Sequence, residues 1–153
     1  MAASPRWPSH ALRQLQLVVP GGLLTYYLGT IQHISDALAS TDDVDSWGRT
    51  ATLASLSLGV LTVALFIYIL LTPWIHSVAP DFRSWRESGL LSSVIPILTF
   101  SIVSGWLGMT ATLGLWSSMG FPKAVVGTSA IYALMFGLLG LIPAPRIRSQ
   151  RPD

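Results

Sequence analysis

Four long stretches of this chain carry no charged side chain: residues 15–34, 52–72, 93–115 and 124–143. All nine basic and seven acidic residues fall in the segments between and around them. Charged residues make up 10% of the whole, against about 25% in ordinary soluble domains. Hydrocarbon solvent imposes this exclusion on segments of 20 to 23 residues, because a charge at the centre of a bilayer is expensive. The pattern argues against a soluble globular fold, a disordered chain and a disulfide scaffold, and for a small polytopic membrane protein.

Lipid offers no partner to a backbone amide, so a crossing segment is either a helix or a strand of a closed barrel. A barrel strand alternates polar and apolar residues over about ten positions. Ser57–Leu71 reads SLGVLTVALFIYILL without alternation, which selects the helix. At 1.5 Å per residue, such segments reach roughly 30–35 Å, enough for a hydrocarbon core. The first stretch departs furthest from a pure hydrocarbon-soluble segment, holding Pro20, Gly21, Gly22, Gln32 and His33. The expected fold class is therefore all-α: four transmembrane helices in a compact antiparallel bundle. A cytosolic segment 1–14 precedes the transmembrane domain 15–143, and a basic cytosolic tail 144–153 follows it.

Arginine and lysine set the expected orientation. Four crossings put Arg6, Arg13, Arg83, Arg86, Arg146, Arg148 and Arg151 on one side and only Arg49 and Lys123 on the other. Seven against two places both termini in the cytosol. Asp36, Asp42, Asp43 and Asp45 gather on the far side, so the formal net charge of +2 is a difference between two faces. It is read as a basic face beside anionic lipid, and nucleic acid is not expected as a partner. Trp47, Trp74, Trp85 and Trp116 fall near span ends, where indole rings prefer the headgroup region. Trp106 lies in mid-span and is expected to pack between helices. An alternative parsing treats residues 1–39 as a secretory signal cleaved after Ala37-Leu38-Ala39. Its length and the polar Tyr26, Tyr27 and Gln32 disfavour that.

Helices in lipid associate through close backbone approach at small residues, and four-residue spacing aligns such residues on one face. Each stretch has a ridge of this kind. The first carries Gly21, Thr25 and Gly29; the second Ala51, Ser55 and Gly59; the third Ser104, Gly108 and Thr112; the fourth Ser129, Ala133 and Gly137. The short loop 116–123 makes the last two helices neighbours. Pro96 falls in the first turn of the third stretch, where a missing amide is harmless, whereas Pro20 is expected to kink the first. Between Pro73 and Ser92, Phe82 and Trp85 lie three apart on a short amphipathic segment starting at Pro80-Asp81. Arg83 and Arg86 lie beside them, and Arg83, Trp85 and Arg86 are expected at the membrane surface.

The missing chemistry narrows function. The chain has no cysteine and no asparagine, hence no thiol catalysis, cysteine-ligated metal, palmitoylation or N-glycosylation sequon. Uncharged spans lack the usual residues of proton relays and ion-coupled transport. Phosphate-binding glycine loops, metalloprotease helices and nucleophile elbows are absent from the sequence. No metal and no cofactor is expected. Of the three histidines, His10 and His76 fall on the cytosolic side and His33 on the other. Tyr26, Thr30 and His33 are read as one helix face, with Tyr27 beside it and Asp36 three residues after His33. A His33–Asp36 pair could orient a general base, so His33, Asp36 and Tyr26 are the catalytic candidates. The preferred reading is an interfacial histidine bonded to its neighbour. Asp42, Asp43 and Asp45 are read as a solvated acidic loop, since the glycine and distal glutamate of a calcium loop are missing. Arg146-Ile147-Arg148 matches an arginine-based retention address, and it is also what a cytosolic basic tail contains.

Three functions remain. The first, and preferred, is a non-enzymatic accessory, assembly or scaffold subunit that binds the lipid bilayer and a membrane-protein partner or a second copy of itself. The second is a small membrane enzyme or carrier for a lipid-like substrate, with its polar end around His33. The third is an oligomeric channel lined by Ser101, Ser104, Thr110 and Thr112, which lacks a charged ring for selectivity. An endomembrane or plasma-membrane location is expected rather than a mitochondrial one.

Overall fold

Uninterrupted aliphatic sequence favours helix wherever no glycine or proline intervenes, and punctuation decides where each helix stops. A computed structural model describes residues 9–39, 46–76, 89 and 91–142, which form five helices. In chain order these are α1 (Ser9–Tyr27), α2 (Thr30–Ala39), α3 (Ser46–His76), α4 (Leu91–Leu115) and α5 (Phe121–Gly140). Three of them are long and apolar enough to cross a membrane: α3 over Trp47–Thr72, α4 over Ser92–Leu115 and α5 over Phe121–Gly140.

The first stretch, expected as one helix over 15–34, is instead divided between α1 and α2. The division does not fall at Pro20, which lies inside α1. It falls at Leu28-Gly29, where Gly29 takes φ +59°. The Gly29 N–H turns back to Tyr26 O at 3.1 Å, and the helix restarts when His33 N–H reaches Gly29 O at 3.1 Å. This is a left-handed glycine stop, a conformation in which a Cβ would meet the following carbonyl. Gly29, expected on a packing ridge, thus serves as a helix terminator. Pro96 also moves relative to expectation. Because α4 begins at Leu91, the proline sits in the second turn, where Ser92 O loses its amide donor. Pro122 occupies the opening turn of α5, where no intrahelical amide is required.

α5 packs against α1 and α4 and α3 packs against α4, with Gly105 of α4 facing both Leu58 of α3 and Tyr132 of α5; a gap between α3 and α5 is lined by Gly59, Met109 and Ile131. Glycines set the closest approaches. A Cβ on Gly21 would lie 2.9 Å from both Ala130 O and Leu134 N, and one on Gly137 would lie 2.7 Å from Val18 Cγ2. Low numbers on α1 therefore meet high numbers on α5, and the two run antiparallel. α3 and α4 do likewise: Gly108 faces Ser55, Gly105 faces Leu58, and Thr62 shares a 3.0 Å hydrogen bond with Ser101. The α4–α5 turn is shorter than the expected loop, with five residues between the helices.

The polarity of the molecule is inverted relative to a soluble bundle. Its buried polar residues are hydroxyls, among them Thr25, Thr52, Ser55, Thr62 and Thr112. Each donates to the carbonyl one turn back, at 2.7 to 2.9 Å, so it packs as a small residue with its polarity closed off. Large apolar side chains point outward from every helix, including Leu23, Ile31, Val60, Phe100 and Leu138. A small apolar core survives where Met109, Leu113, Met119 and Ala124 meet, with Leu28, Ile34 and Leu56 against it.

Candidate functional site

The end of the bundle that holds α2, the start of α3 and the α4–α5 turn gathers the polar residues singled out in the sequence. Gly48 lies against Trp116, bringing the start of α3 to the end of α4. His33, half-buried on α2, places Nδ1 3.3 Å from Ser117 Oγ in the turn. Ser117 Oγ also accepts the Met119 N–H at 3.1 Å. That bond orients the serine side chain, and the tautomer of His33 sets which of hydroxyl and imidazole donates to the other. Reading the sequence overlooked Ser117. A signal existed, because the loop 116–123 was expected on the same side as His33, but a serine in a loop carries no distinguishing pattern.

The proposed Tyr26–Thr30–His33 face does not exist. The break at Gly29 puts Tyr26 on α1 and the other two on α2, and their surroundings are opposite: Tyr26 is 88% exposed and Thr30 is fully buried. Tyr27 is exposed beside Tyr26. Thr30 sits against Gly127 of α5, and its hydroxyl has no hydrogen-bond partner among the described residues. Asp36 is exposed on α2. Among the described residues, no three histidine, aspartate or glutamate side chains converge as metal ligands.

Of the expected packing residues, Gly21, Gly108 and Gly137 abut a neighbouring helix. Thr25, Ser55 and Thr112 are buried, and Ser104 and Ala133 are half-buried. Ser129 is exposed, yet it accepts the Trp106 indole N–H at 3.2 Å across the α4–α5 seam. Gly59 departs from expectation: a Cβ there would meet nothing within 4 Å. The hydroxyls considered as a pore lining are not displayed on a free face. Ser101, Thr110 and Thr112 are buried within the chain, Ser101 against Thr62. The side chains of His10, Trp74 and His76, and all of Asp42, Asp43, Asp45, Phe82, Arg83, Trp85, Arg86, Arg146 and Arg148, lie outside the described residues.

Among the described residues, the chemistry this end offers is a hydroxyl–imidazole pair, Ser117 with His33. Lys123 and Arg49 are exposed at the same end, at the starts of α5 and α3. No protein-family model, no curated protein and no solved structure matches the chain.

Proposed function

We propose that the chain is a multi-pass integral membrane protein that assembles with, stabilises or localises a larger membrane partner. In this reading α1 and α2 together make the first crossing and α3, α4 and α5 the other three. The observation that carries it is the inverted polarity: small hydroxyl side chains inside, most of them bonded to the carbonyl a turn back on their own helix, and large aliphatic side chains outside. Water would expose that apolar exterior at great cost, whereas hydrocarbon solvates it. Gln14 against Gly140 sets the start of α1 beside the end of α5. That proximity supports termini on one side, and the arginine bias favours the cytosol for that side. An endomembrane or plasma membrane is the proposed location.

Two measurements test this. Alkaline carbonate should leave the protein in the membrane pellet, and tags at the two ends should be digested together from the cytosolic side. Release into the supernatant would overturn the membrane reading, and tags protected on opposite sides would overturn the four-crossing topology. Purification in mild detergent should then recover a stoichiometric membrane protein. A chain that elutes alone from every host membrane tested would remove the accessory role while leaving the topology standing.

One observation favours a second reading, a small membrane enzyme or carrier for a lipid-like substrate: the 3.3 Å approach of Ser117 Oγ to His33 Nδ1. A hydroxyl beside an imidazole is the minimal unit of nucleophilic acyl transfer. The accessory reading is preferred because Ser117 is already engaged by Met119, the arrangement of a serine that stabilises its own turn. If His33→Ala and Ser117→Ala each abolish a cellular phenotype in protein that inserts and accumulates normally, the enzyme reading replaces it.

A further inference from the structure

A threonine inside a helix can hide its polarity by donating to the carbonyl one turn back. Thr25, Thr52, Thr62, Thr72, Thr99 and Thr112 all do so, each to the residue four positions earlier. Thr30, Thr110 and Thr128 do not. Thr30 and Thr128 are fully buried and Thr110 is 3% exposed. The hydroxyls of all three have no hydrogen-bond partner among the described residues. For Thr30 the reason is topological. It opens α2, so no carbonyl lies one turn back on its own helix, and Tyr26 O across the break already accepts the Gly29 N–H. Thr110 and Thr128 have Trp106 O and Ala124 O one turn back, but neither hydroxyl is bonded there. The contrast holds within a single helix: Thr112 of α4 closes on Gly108 O at 2.8 Å, while Thr110 stays open.

The three residues stand at one level of the bundle. Thr110 is one turn from Trp106 and one turn from Gly114, and those two meet α5 at Ser129 and Phe121. Sharing their face, Thr110 looks at α5 between the two contacts. Thr128 is one turn before Tyr132 and two turns after Phe121, which meet α4 at Gly105 and Gly114. By the same spacing it looks at α4. Thr110 and Thr128 thus enter the α4–α5 seam from opposite sides. Thr30 reaches that level from α2, its Oγ1 2.8 Å from the Cβ position of Gly127, the residue before Thr128. His33 follows Thr30 by about one turn, roughly 4.5 Å along α2. The group therefore lies just inside the end that holds His33 and Ser117.

A hydroxyl removed from solvent with nothing to bond is costly, so three at one level call for a common partner. Their chemistry selects it. Neutral hydroxyls bring no charge to hold an ion, and among the described residues no acidic or histidine cluster converges to supply one. Each hydroxyl both donates and accepts. The smallest molecule that answers both roles is water, which inside proteins makes about three bonds to groups otherwise unsatisfied.

We propose that Thr30, Thr110 and Thr128 form an internal hydration site, holding ordered water where α2 meets the α4–α5 seam. The water joins three helices at the one level where their threonines do not close on their own carbonyls. The site needs only the bundle described above, so it stands or falls separately from the accessory role.

The full chain, carrying isotope-labelled threonine methyl groups, is purified in mild detergent, and magnetisation transfer from water to each methyl is measured by NMR. Transfer to Thr30, Thr110 and Thr128 should stand clear of that to Thr25, Thr62 and Thr112, which are buried as deeply but closed on their own helices. Thr128→Val keeps the shape of the side chain and removes the hydroxyl. It should abolish most of the transfer at the Thr110 methyl and lower the thermal unfolding midpoint, because the water loses a partner. Should Thr128→Val not accumulate, Thr110→Val read at the Thr128 methyl makes the same comparison from across the seam. Transfer no greater at the three than at the closed threonines would overturn the site, and would mean that the hydroxyls bond Trp106 O, Ala124 O or one another. A midpoint that rises in the valine variant would overturn it too, since that marks relief of an unpaired hydroxyl rather than loss of a bonded one.

Discussion

The seam between α1 and α5 and the gap between α3 and α5 are both marked by helical glycine in a small-residue ridge, and they come out oppositely. At Gly21 the α5 backbone is so near that a Cβ would sit 2.9 Å from a carbonyl oxygen and an amide nitrogen. At Gly59 the same Cβ would meet nothing within 4 Å. Spacing along a helix fixes which residues share a face, but it does not say whether another helix lies on that face. A ridge becomes a contact only when connectivity delivers a partner. α1 lies along α5 through Gly21 and Gly137, whereas α3 meets α4 at Ser55 and Leu58 and leaves Gly59 turned to the gap beside α5.

The largest effect that can break this contrast belongs to Gly21→Leu. Backbone atoms cannot swing aside as side chains do, so the seam must separate. We expect a loss of about 3 kcal/mol or failure to accumulate, read as the midpoint of thermal unfolding in mild detergent and as yield from membranes. A Gly21→Leu protein as stable as the parent would mean that α1 does not lie on α5 at all. Next comes Gly29→Ala. Here the obstacle is conformational, because φ +59° places a Cβ against the backbone, and Gln32 Oε1 lies 2.8 Å from the position it would take. The expected loss is about 1–2 kcal/mol, with His33 displaced from Ser117 because α2 starts from this glycine. A stable Gly29→Ala protein with His33 and Ser117 still coupled, for instance in a double-mutant cycle, would show that the break is not needed.

How far the sequence foretold these regions follows from what each signal measures. Charge exclusion located the apolar bodies of α3, α4 and α5, but it cut α3 and α5 short at their starts, where Arg49 and Lys123 stand inside the helices. The same signal ran straight through Leu28-Gly29, since neither residue carries charge and hydropathy is blind to a positive φ. Tyr26 and Thr30 were thus placed on one face by a periodicity that ends between them. Pro20 drew the expectation of distortion away from the glycine that supplies the break. At the candidate site, His33 was legible as a rare imidazole at a span boundary. Ser117 was not, because its significance arises only when the α4–α5 turn is laid beside α2. Gly59 and Gly108 were indistinguishable as letters, and only the tertiary arrangement separates a packed glycine from an open one.

A smaller effect sharpens the contrast on the α3 side. Thr62 and Ser101 share a hydrogen bond across the α3–α4 seam, while Thr62 also donates to Leu58 O. Both bonds cannot be served by the single Thr62 hydrogen at once, so Ser101 is the donor in one arrangement and Leu98 O its acceptor in the other. Removing one member of such a shared set costs little, because the hydroxyl that remains keeps its own backbone acceptor. Thr62→Val should lower stability by about 0.6 kcal/mol, measured by the same unfolding midpoint. A loss several times larger would mean that the α3–α4 seam is held by polar contacts rather than by the close approach at Gly105 and Gly108.

The smallest expected change is the most diagnostic, because its sign is opposite to that at Gly21. Gly59→Ala introduces a methyl group into free space on a helix, where alanine is preferred over glycine by up to about 1 kcal/mol in water and the new atom displaces nothing of the protein. The unfolding midpoint should therefore hold or rise slightly. A clear loss of stability would mean that α3 and α5 close upon each other at Gly59. The two ridges would then be alike rather than opposed.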